Sequence, residues 1–435
     1  MRRLAALLAT LAALLPAAAA AQPAPAGTTY IHAGQLLDRP GRPARGPSTI
    51  VVSGGRIAEV RDGHVPAPAG AALVDLADRY VLPGLIDSHV HLDSDAGGTA
   101  GMIEGLTTGD AAAAFRGVAN ARKTLDAGFT TVRNLGGPPA ILALRDAIRD
   151  GIVPGPRILD AAASLSGTSG HGDATLSLRE ELHPAIPQDN LCDGAEACRR
   201  AVRLQIRRGA DVIKMLVTGG VNSPIGAGLG RQMFDDEVKA IVDTAHMYGK
   251  KVAVHAHGAD GINAALAAGA DSIEHGTLLD DESIRLFKRG GAWYVPTLST
   301  VNGYLERIAA NPNAYPPEVR AKIDWRIGIT GKALRKAVPA GVRIAFGTDA
   351  GVSKHGRNAD EFELMVRHGM TPTAALEAAT VGAADLLGLA GEIGTIEPGK
   401  RADIIAVAGD PIRDVTVLKR VPFVMAAGKV FKNER

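Results

Sequence analysis

The chain has 435 residues, and 48 Lys and Arg stand against 46 Asp and Glu, so its formal net charge is only +2. This near-neutral balance provides no basic surface field, which disfavours a nucleic-acid or anionic-membrane partner. Two cysteines are too few for a disulfide-rich scaffold or a four-thiolate zinc site, and 46% hydrophobic residues exclude a disordered chain.

The N-terminal segment predicts an export signal. Arg2 and Arg3 precede an apolar run, and an alanine-rich stretch follows and ends at Ala21. A positive start, a short apolar stretch and small residues before a polar one are typical of a secretory signal peptide. Pro16 interrupts the run, which falls short of the about 20 apolar residues that span a bilayer. We expect residues 1–21 to be a signal peptide, with no membrane anchor and a periplasmic or extracellular protein, rather than a buried helix.

The two cysteines of an exported chain can oxidise to a disulfide. Cys192 and Cys198 are six positions apart. On one regular helix they would face different sides, so the sequence leaves a structural disulfide between them open.

Both ends of the mature chain are rich in short β-like runs. TTYIHAG, STIVVSGGRIAEV and AALVDLADRYVL lie near the start, and RADIIAVAG and PFVMAAGKVFK lie near the end. Turn residues separate these runs, and no long helical period interrupts them. We expect residues 22–80 and 396–435 to form one small β-sandwich domain together.

The central part alternates short apolar runs with amphipathic helical stretches. The predicted strands are Leu82–His91, Thr130–Asn134, Arg157–Ala162, Asp211–Leu216, Lys251–Ala256, Asp271–His275, Trp293–Leu298 and Arg343–Asp349. The predicted helices include Ala111–Asp126, Ala195–Arg208, Asp235–Tyr248, Asp260–Ala268 and Pro316–Lys336. Eight such units over about 300 residues predict an α/β fold, a (β/α)8 TIM barrel that covers residues 81–395.

Side chains that can bind metal stand where the predicted strands end. His89 and His91 close the first run as HVH, and residues i and i+2 of a strand share a face. Later runs carry Lys214, His255, His275 and Asp349 at or near their ends. An isolated HxH is weak support for a metal site, but the same residue types at five strand ends are hard to explain by packing. Barrel enzymes place their active sites at this face.

Lys214 needs separate chemistry because an ammonium group repels cations. A lysine that burial keeps neutral can react with CO2 to form a carbamate, whose two oxygens can each bind one metal ion. The alternative is an ordinary ion pair with a nearby acid such as Asp211. The four histidines and the aspartate at equivalent positions favour the carbamate.

These motifs resemble those of the amidohydrolase superfamily with a binuclear metal centre. The similarity rests on VLPGLIDSHVHL, VIKMLVTGG, VAVHAHG, DSIEHGT, FGTDAG and GEIGTIEPGKRADIIAV, and it covers nearly the whole mature chain. The resemblance implies two divalent ions, expected to be Zn²⁺. It also implies the ligands: His89 and His91 on one ion, His255 and His275 on the other, Lys214 as a bridging carbamate, and Asp349.

The resemblance also implies a mechanism, in which a metal-bridging hydroxide attacks an amide carbonyl and Asp349 acts as general base and then general acid. His257 shares a strand face with His255 and is expected either to contact the substrate or oxyanion, or to pack behind the ligands. Further candidates for the pocket wall and rim are His171, Thr218, Gly219, Gly220 and His355. Glu361 and Glu363, which follow His355, are expected on a solvated helix.

The segments TGGVNSP and HGRNADEFELMVRHGMTPTAALEAAT are most similar to the imidazolonepropionase-related branch. That branch includes Xaa-Pro dipeptidases, N-acyl amino-acid hydrolases and ochratoxin-hydrolysing enzymes. The similarity implies hydrolysis of a small peptide-like amide that releases a C-terminal amino acid, and a homo-oligomer. A cyclic-amide hydrolase or deaminase on the same fold is the alternative, and a secreted binding protein on an inactive barrel is a third possibility.

Overall fold

The structure, a computed structural model, describes residues 27–176, 178–224 and 228–434. The predicted signal peptide, residues 1–21, lies outside them. The strands are β1 Thr29–Leu36, β2 Ser48–Ser53, β3 Arg56–Asp62, β4 Ala72–Pro83, β5 Leu85–Val90, β6 Phe129–Asn134, β7 Arg157–Asp160, β8 Ile213–Leu216, β9 Val252–Ala256, β10 Ser272–His275, β11 Trp293–Val295, β12 Arg343–Ile344, β13 Ile404–Val407, β14 Phe423–Ala426 and β15 Lys429–Asn433.

The α-helices in the same ranges are α1 Gly98–Thr107, α2 Asp110–Asp126, α3 Pro139–Arg149, α4 Ala195–Arg208, α5 Asp235–Met247, α6 Ala259–Ala268, α7 Asp281–Gly290, α8 Thr300–Ala310, α9 Pro317–Gly328, α10 Lys332–Ala337, α11 Asp360–Arg367, α12 Pro372–Glu377 and α13 Ala383–Leu386. None of these described helices is both long and apolar enough to cross a membrane.

The two chain ends build one sheet, as the β-rich flanks predicted. Its strand order is β15-β14-β13-β4-β1-β2-β3, and β4 joins the two halves by pairing with β1 on one side and β13 on the other. Residues from both ends, including Ile31, Ile50, Ile404 and Phe423, pack into one buried cluster. The strands pair as a single sheet, and the two-layer arrangement of a β-sandwich stays a prediction.

Each of the eight central apolar runs contains a parallel strand. Strands β5 to β7 form one sheet and β8 to β12 another, and helices separate most consecutive strands. Both sheets are buried on their two faces, which explains the unbroken apolar runs. Most observed strands are shorter than predicted; the last stops at Ile344 rather than Asp349.

Hydrogen bonds connect the two sheets at both of their edges. At one edge, Ser88 N donates to Phe346 O over 2.9 Å and Asp349 N donates to His89 O over 2.7 Å. At the other edge, Leu165 N donates to Lys214 O over 2.9 Å. This continuity brings the C-terminal ends of β5 and of β8 to β10 together on one side of the molecule.

The predicted helix Pro316–Lys336 is interrupted in the structure. Helix α9 ends at Gly328 and α10 begins at Lys332. Gly331 between them has a φ of +76°, a left-handed conformation that a helix interior does not allow. The chain turns there, so the segment forms two helices instead of one.

Cys192 and Cys198 form a disulfide, with 4.9 Å between their Cα atoms. The premise that both would lie on one helix is wrong, because α4 begins only at Ala195. Cys192 lies in the preceding loop, which folds back onto the first turn of α4. The bond therefore links the loop before α4 to the first turn of that helix, and does not join two sides of one helix.

Candidate active site

All six predicted metal ligands line one cavity of about 210 Å³ at the C-terminal ends of the central strands. Five of them are almost fully buried, and His91 alone is partly exposed. The residues that the sequence placed at this cavity and the structure brings together are His89, His91, Lys214, His255, His275, Asp349, His171 and His257.

Two of these residues adopt a left-handed backbone conformation. His275 has a φ of 70° and Asp349 has a φ of 56°. Such conformations cost about 1–3 kcal/mol for a residue other than glycine and persist only where the surroundings impose them. The turn of the backbone at each of these two residues accompanies a side chain that lines the cavity.

The imidazoles of the first strand are oriented by acceptors on their outer side. His89 Nδ1 donates to the Glu274 carboxylate over 2.9 Å, and His91 Nδ1 donates to Gly136 O over 3.0 Å. Because a carboxylate and a carbonyl only accept, both rings carry their proton on Nδ1. In its neutral form, each ring then presents an Nε2 lone pair toward the cavity, as metal-binding histidines require.

The Asp349 carboxylate lies against these lone pairs. Its Oδ1 is 3.4 Å from His91 Nε2 and 3.6 Å from His89 Nε2. The oxygen is buried, and no described residue donates a hydrogen bond to it. Two ring nitrogens and a carboxylate oxygen that converge at these distances are a suitable donor set for a divalent cation.

A second cluster of ring nitrogens lies beside the first. Ligand atoms of His255, His257 and His275 lie within 4.8 Å of one another, as do those of His89, His275 and Asp349. His275 Nδ1 contacts Thr297 Oγ1 at 2.7 Å and His257 Nδ1 contacts Thr277 Oγ1 at 2.8 Å, which fixes both rings. The geometry thus makes His257 a further candidate ligand, in addition to its predicted place near the substrate.

Lys214 is buried and lines the same cavity as the two clusters. Burial lowers its pKa to about 8, although the charges of Glu274 and Asp349 act in the opposite direction. Asp211 precedes β8 and pairs with Arg145 over 2.8 Å. The alternative, an ion pair between Lys214 and Asp211, is therefore wrong. A buried amine with a lowered pKa fits the reactivity that carbamate formation needs.

A buried charge network supports the first cluster, and the sequence did not reveal it. Arg133 donates to Ser88 O over 2.6 Å and to Glu274 Oε1 over 2.8 Å. Burial alone would raise the pKa of Glu274, but Arg133 and the hydrogen bond from His89 lower it to about 2. The carboxylate thus stays ionised and holds His89. The sequence contained one indication of this network, Glu274, the acidic residue that precedes His275 in DSIEH.

The predicted substrate residues divide into two groups. His171 lines the cavity and packs on His255, with 4.5 Å between ring centroids. Thr218, Gly219 and Gly220, which were expected in the pocket wall, lie behind it. Thr218 Oγ1 accepts from His257 N over 2.9 Å, and a Cβ on Gly220 would lie 2.2 Å from the His171 ring. These residues shape the cavity through the two histidines rather than lining it.

Two expectations for the segment after the last strand are wrong. His355 is buried and its Nε2 donates to His91 O over 2.9 Å, so it lies behind His91 and not at the rim. Glu361 is also buried, and it accepts hydrogen bonds from Leu298 N and Ser299 N at the entrance of α8. Burial raises the pKa of Glu361 to about 7. Glu363 is partly exposed, as expected.

The cavity also has a cationic wall that sequence reasoning missed. Arg326 on α9 lines the cavity beside Tyr304 and is only 3% exposed. Its Nη1 donates to Thr330 Oγ1 over 3.3 Å, and no acidic side chain of the described residues forms an ion pair with it. Nothing in the local sequence distinguishes this arginine from those on the surface of other helices.

The comparisons with known proteins agree with this geometry. The family model for the amidohydrolase family matches residues 80–431. Ochratoxinase of Aspergillus niger is 34% identical over 426 residues, which span 93% of this chain and 86% of that protein. A crystal structure of a Xaa-Pro dipeptidase with bound methionine in the active site is 38% identical and has a TM-score of 0.89, covering 93% of this chain and all of its own. A prolidase complexed with N-methylphosphonate-L-proline is 32% identical with a TM-score of 0.84, and covers 94% of this chain and all of its own.

Proposed function

Because the chain belongs to the amidohydrolase family, as its motifs predicted, we propose that it hydrolyses a small peptide-like amide with a free C-terminal carboxylate. It is a hydrolase that acts on carbon–nitrogen bonds. The observation that carries the proposal is one cavity in which a set of candidate metal ligands faces a buried arginine that forms no ion pair with any described acidic residue.

The donor set of the cavity fits two divalent ions, which we expect to be Zn²⁺. His89, His91 and Asp349 would hold one ion, His255 and His275 the other, and Lys214 as a carbamate would serve both. When bound, such ions lower the pKa of water and polarise a carbonyl group. The buried, acceptor-only oxygen of Asp349 and the fixed Nε2 atoms of His89 and His91 support this assignment.

The protein side chains would handle the proton and the developing charge. Asp349 would accept a proton from the attacking water and return it to the amide nitrogen, because an amide leaves only after protonation. The water oxygen bonds to the carbonyl carbon, the C–N bond breaks, and an amine and a carboxylate are released. His257 and His171 line the same cavity and would donate to the carbonyl oxygen as it gains negative charge.

The cationic wall supports the substrate class. A buried guanidinium without an acidic partner is costly, and a substrate carboxylate would supply the missing charge. Tyr304 beside it offers a further hydroxyl to the same group. Similar proteins described as a Xaa-Pro dipeptidase, a prolidase and an ochratoxinase support a substrate of this kind.

Two measurements test the proposal. Metal analysis of the mature protein should give about two ions per chain, and Lys214→Met should lower that number. Mass spectrometry should then detect products from a panel of Xaa-Pro dipeptides, N-acyl amino acids, ochratoxin-type amides and cyclic imides. Cleavage of the linear amides is expected. Cleavage of the cyclic compounds alone would favour the imidazolonepropionase-like alternative, and less than one ion per chain would favour an inactive binding protein.

We also propose that the eight parallel strands form a (β/α)8 barrel and that the protein is exported through residues 1–21. The hydrogen bonds at both edges of the two central sheets support the closed barrel. The Cys192–Cys198 disulfide supports an oxidising compartment. Apolar side chains that α1 and α2 expose to solvent, among them Met102, Ile103 and Phe115, support a homo-oligomer.

A further inference from the structure

Ser164 and His171 of the cavity wall lie in the loop that follows β7, and its described residues 161–176 contain no helix or β-strand. Gln232 Oε1 accepts from His171 N over 2.9 Å and Ser223 Oγ contacts His171 Nδ1, while a short segment that precedes α4 holds the loop on both sides of that histidine. Asn190 Nδ2 donates to both Ser164 O and Gly172 O over 3.0 Å, and Cys192 N donates to Ser166 O over 2.9 Å. The segment 190–193, which we call the clamp, therefore fixes the loop on both sides of His171.

The clamp also holds the outer part of the same loop. Asp193 accepts from Thr168 N over 2.9 Å and from Thr168 Oγ1 over 2.7 Å. The backbone contacts Ser166–Asn190 and Ser166–Cys192 give the clamp a strand-like pairing with the loop. If the clamp moved, the hydrogen bonds on both sides of His171 would break together.

The disulfide is the covalent anchor of the clamp. It joins Cys192, inside the clamp, to Cys198 in α4, which packs against α5. Both cysteines are at most 2% exposed. We propose that the Cys192–Cys198 bond is a positioning element of the active site, which sets His171 and thereby the affinity for substrate, in addition to any effect on stability.

The kinetic part of the test rests on the proposed function. Amide hydrogen exchange is therefore measured as a second readout, which needs no enzymatic activity. Amide hydrogen exchange should become faster in residues 164–173 of the double variant Cys192→Ser/Cys198→Ser. Exchange in α6, Ala259–Ala268, should stay unchanged. In the kinetic part, the KM for a cleaved amide should increase about threefold to tenfold, while kcat changes less than twofold.

A double-mutant cycle separates positioning from a general loss of stability. Asn190→Ala removes the two clamp hydrogen bonds, and its effect on KM should not add to that of the cysteine variant, because both act through one segment. Ile57→Val, in the buried cluster of the seven-stranded sheet, is the control that should lower Tm without changing KM. Reduction of the Cys192–Cys198 bond in the wild type is a second way to remove the anchor. The reductant should be a phosphine, because thiols would compete for the expected zinc.

Unchanged exchange in residues 164–173, or fully additive effects on KM, would overturn the proposal. Faster exchange with no turnover of any amide by the wild type would instead support the positioning role and refute the proposed function.

Discussion

Replacement of Arg326 by Met should remove the preference for substrates with a free carboxylate. Methionine keeps much of the side-chain volume but removes the charge and the donors. Arg326 is 3% exposed, and burial lowers the pKa of its guanidinium because water no longer solvates the charge. A substrate carboxylate in the cavity would therefore meet a cation that is desolvated before binding.

The magnitude follows from this burial. A hydrogen bond to a charged group contributes about 1.5–3 kcal/mol, and about 1.4 kcal/mol corresponds to a factor of ten. We therefore expect kcat/KM for a free dipeptide to fall about ten- to hundredfold in Arg326→Met. The folded state should lose little stability, because the variant also removes a buried charge that no described acid pairs with.

The assay compares each dipeptide with its C-terminal amide. The wild type should prefer the free acid, whereas the variant should hydrolyse both at similar rates. Arg320→Met is the matched control and should behave like the wild type, because Arg320 lies on the same helix, is partly exposed and pairs with Asp324. An equal loss on the acid and on the amide would refute the carboxylate contact, because the arginine would then support the cavity without touching that group.

The remaining predictions concern protons and charge. Asp349→Asn should retain metal but lower kcat by about 10²- to 10⁴-fold, and appreciable turnover would refute the role of Asp349. Glu274→Gln should weaken metal binding about 10- to 100-fold, measured by dialysis, because His89 loses its carboxylate acceptor. It should also lower the free energy of unfolding by about 3–5 kcal/mol, measured by denaturation, because Arg133 loses its countercharge. Glu282→Gln, at the surface, is the control in both measurements. In metal-free protein, burial lowers the pKa of the imidazoles of His89, His171, His255, His257 and His275. Burial raises the pKa of the carboxyls of Asp87, Asp160 and Glu361 to about 6, 7 and 7. Near pH 5, unfolding lets the five imidazoles bind protons and lets the three carboxyls release them. The imidazoles outnumber the carboxyls, so the unfolded state binds more protons than the folded state. Stability then increases with pH, and Tm should rise between about pH 4.5 and 6. A flat or falling Tm would contradict this balance.

Several features could be predicted from the sequence because they depend on local periodicity. Eight short apolar runs identified the parallel strands, and the HVH spacing placed His89 and His91 on one face. The position of Lys214, His255 and His275 at the ends of such runs was enough to place them at the cavity. A strand that is buried on both faces leaves polar residues few places other than its end.

Other features depended on partners far away in the chain. His89 and Glu274 are 185 positions apart, and Arg133 and Glu274 are 141 positions apart, so no local pattern could indicate their network. His355 looked like a rim residue because it follows a strand end, yet its ring folds back onto the His91 carbonyl. Likewise, the disulfide depended on where α4 begins.

The sequence by itself determined which side chains reach the cavity at the C-terminal end of the strands, because backbone periodicity fixes their direction. Only the tertiary structure decided which groups are desolvated, which are paired, and which remain free to bind a ligand. Arg326 shows the difference. This helical arginine at ordinary spacing becomes a candidate carboxylate site because the packing of α9 buries it beside the cavity, where no acid of the described residues forms an ion pair with it. Burial and pairing depend on distant parts of the chain, so they emerge only when the fold is complete.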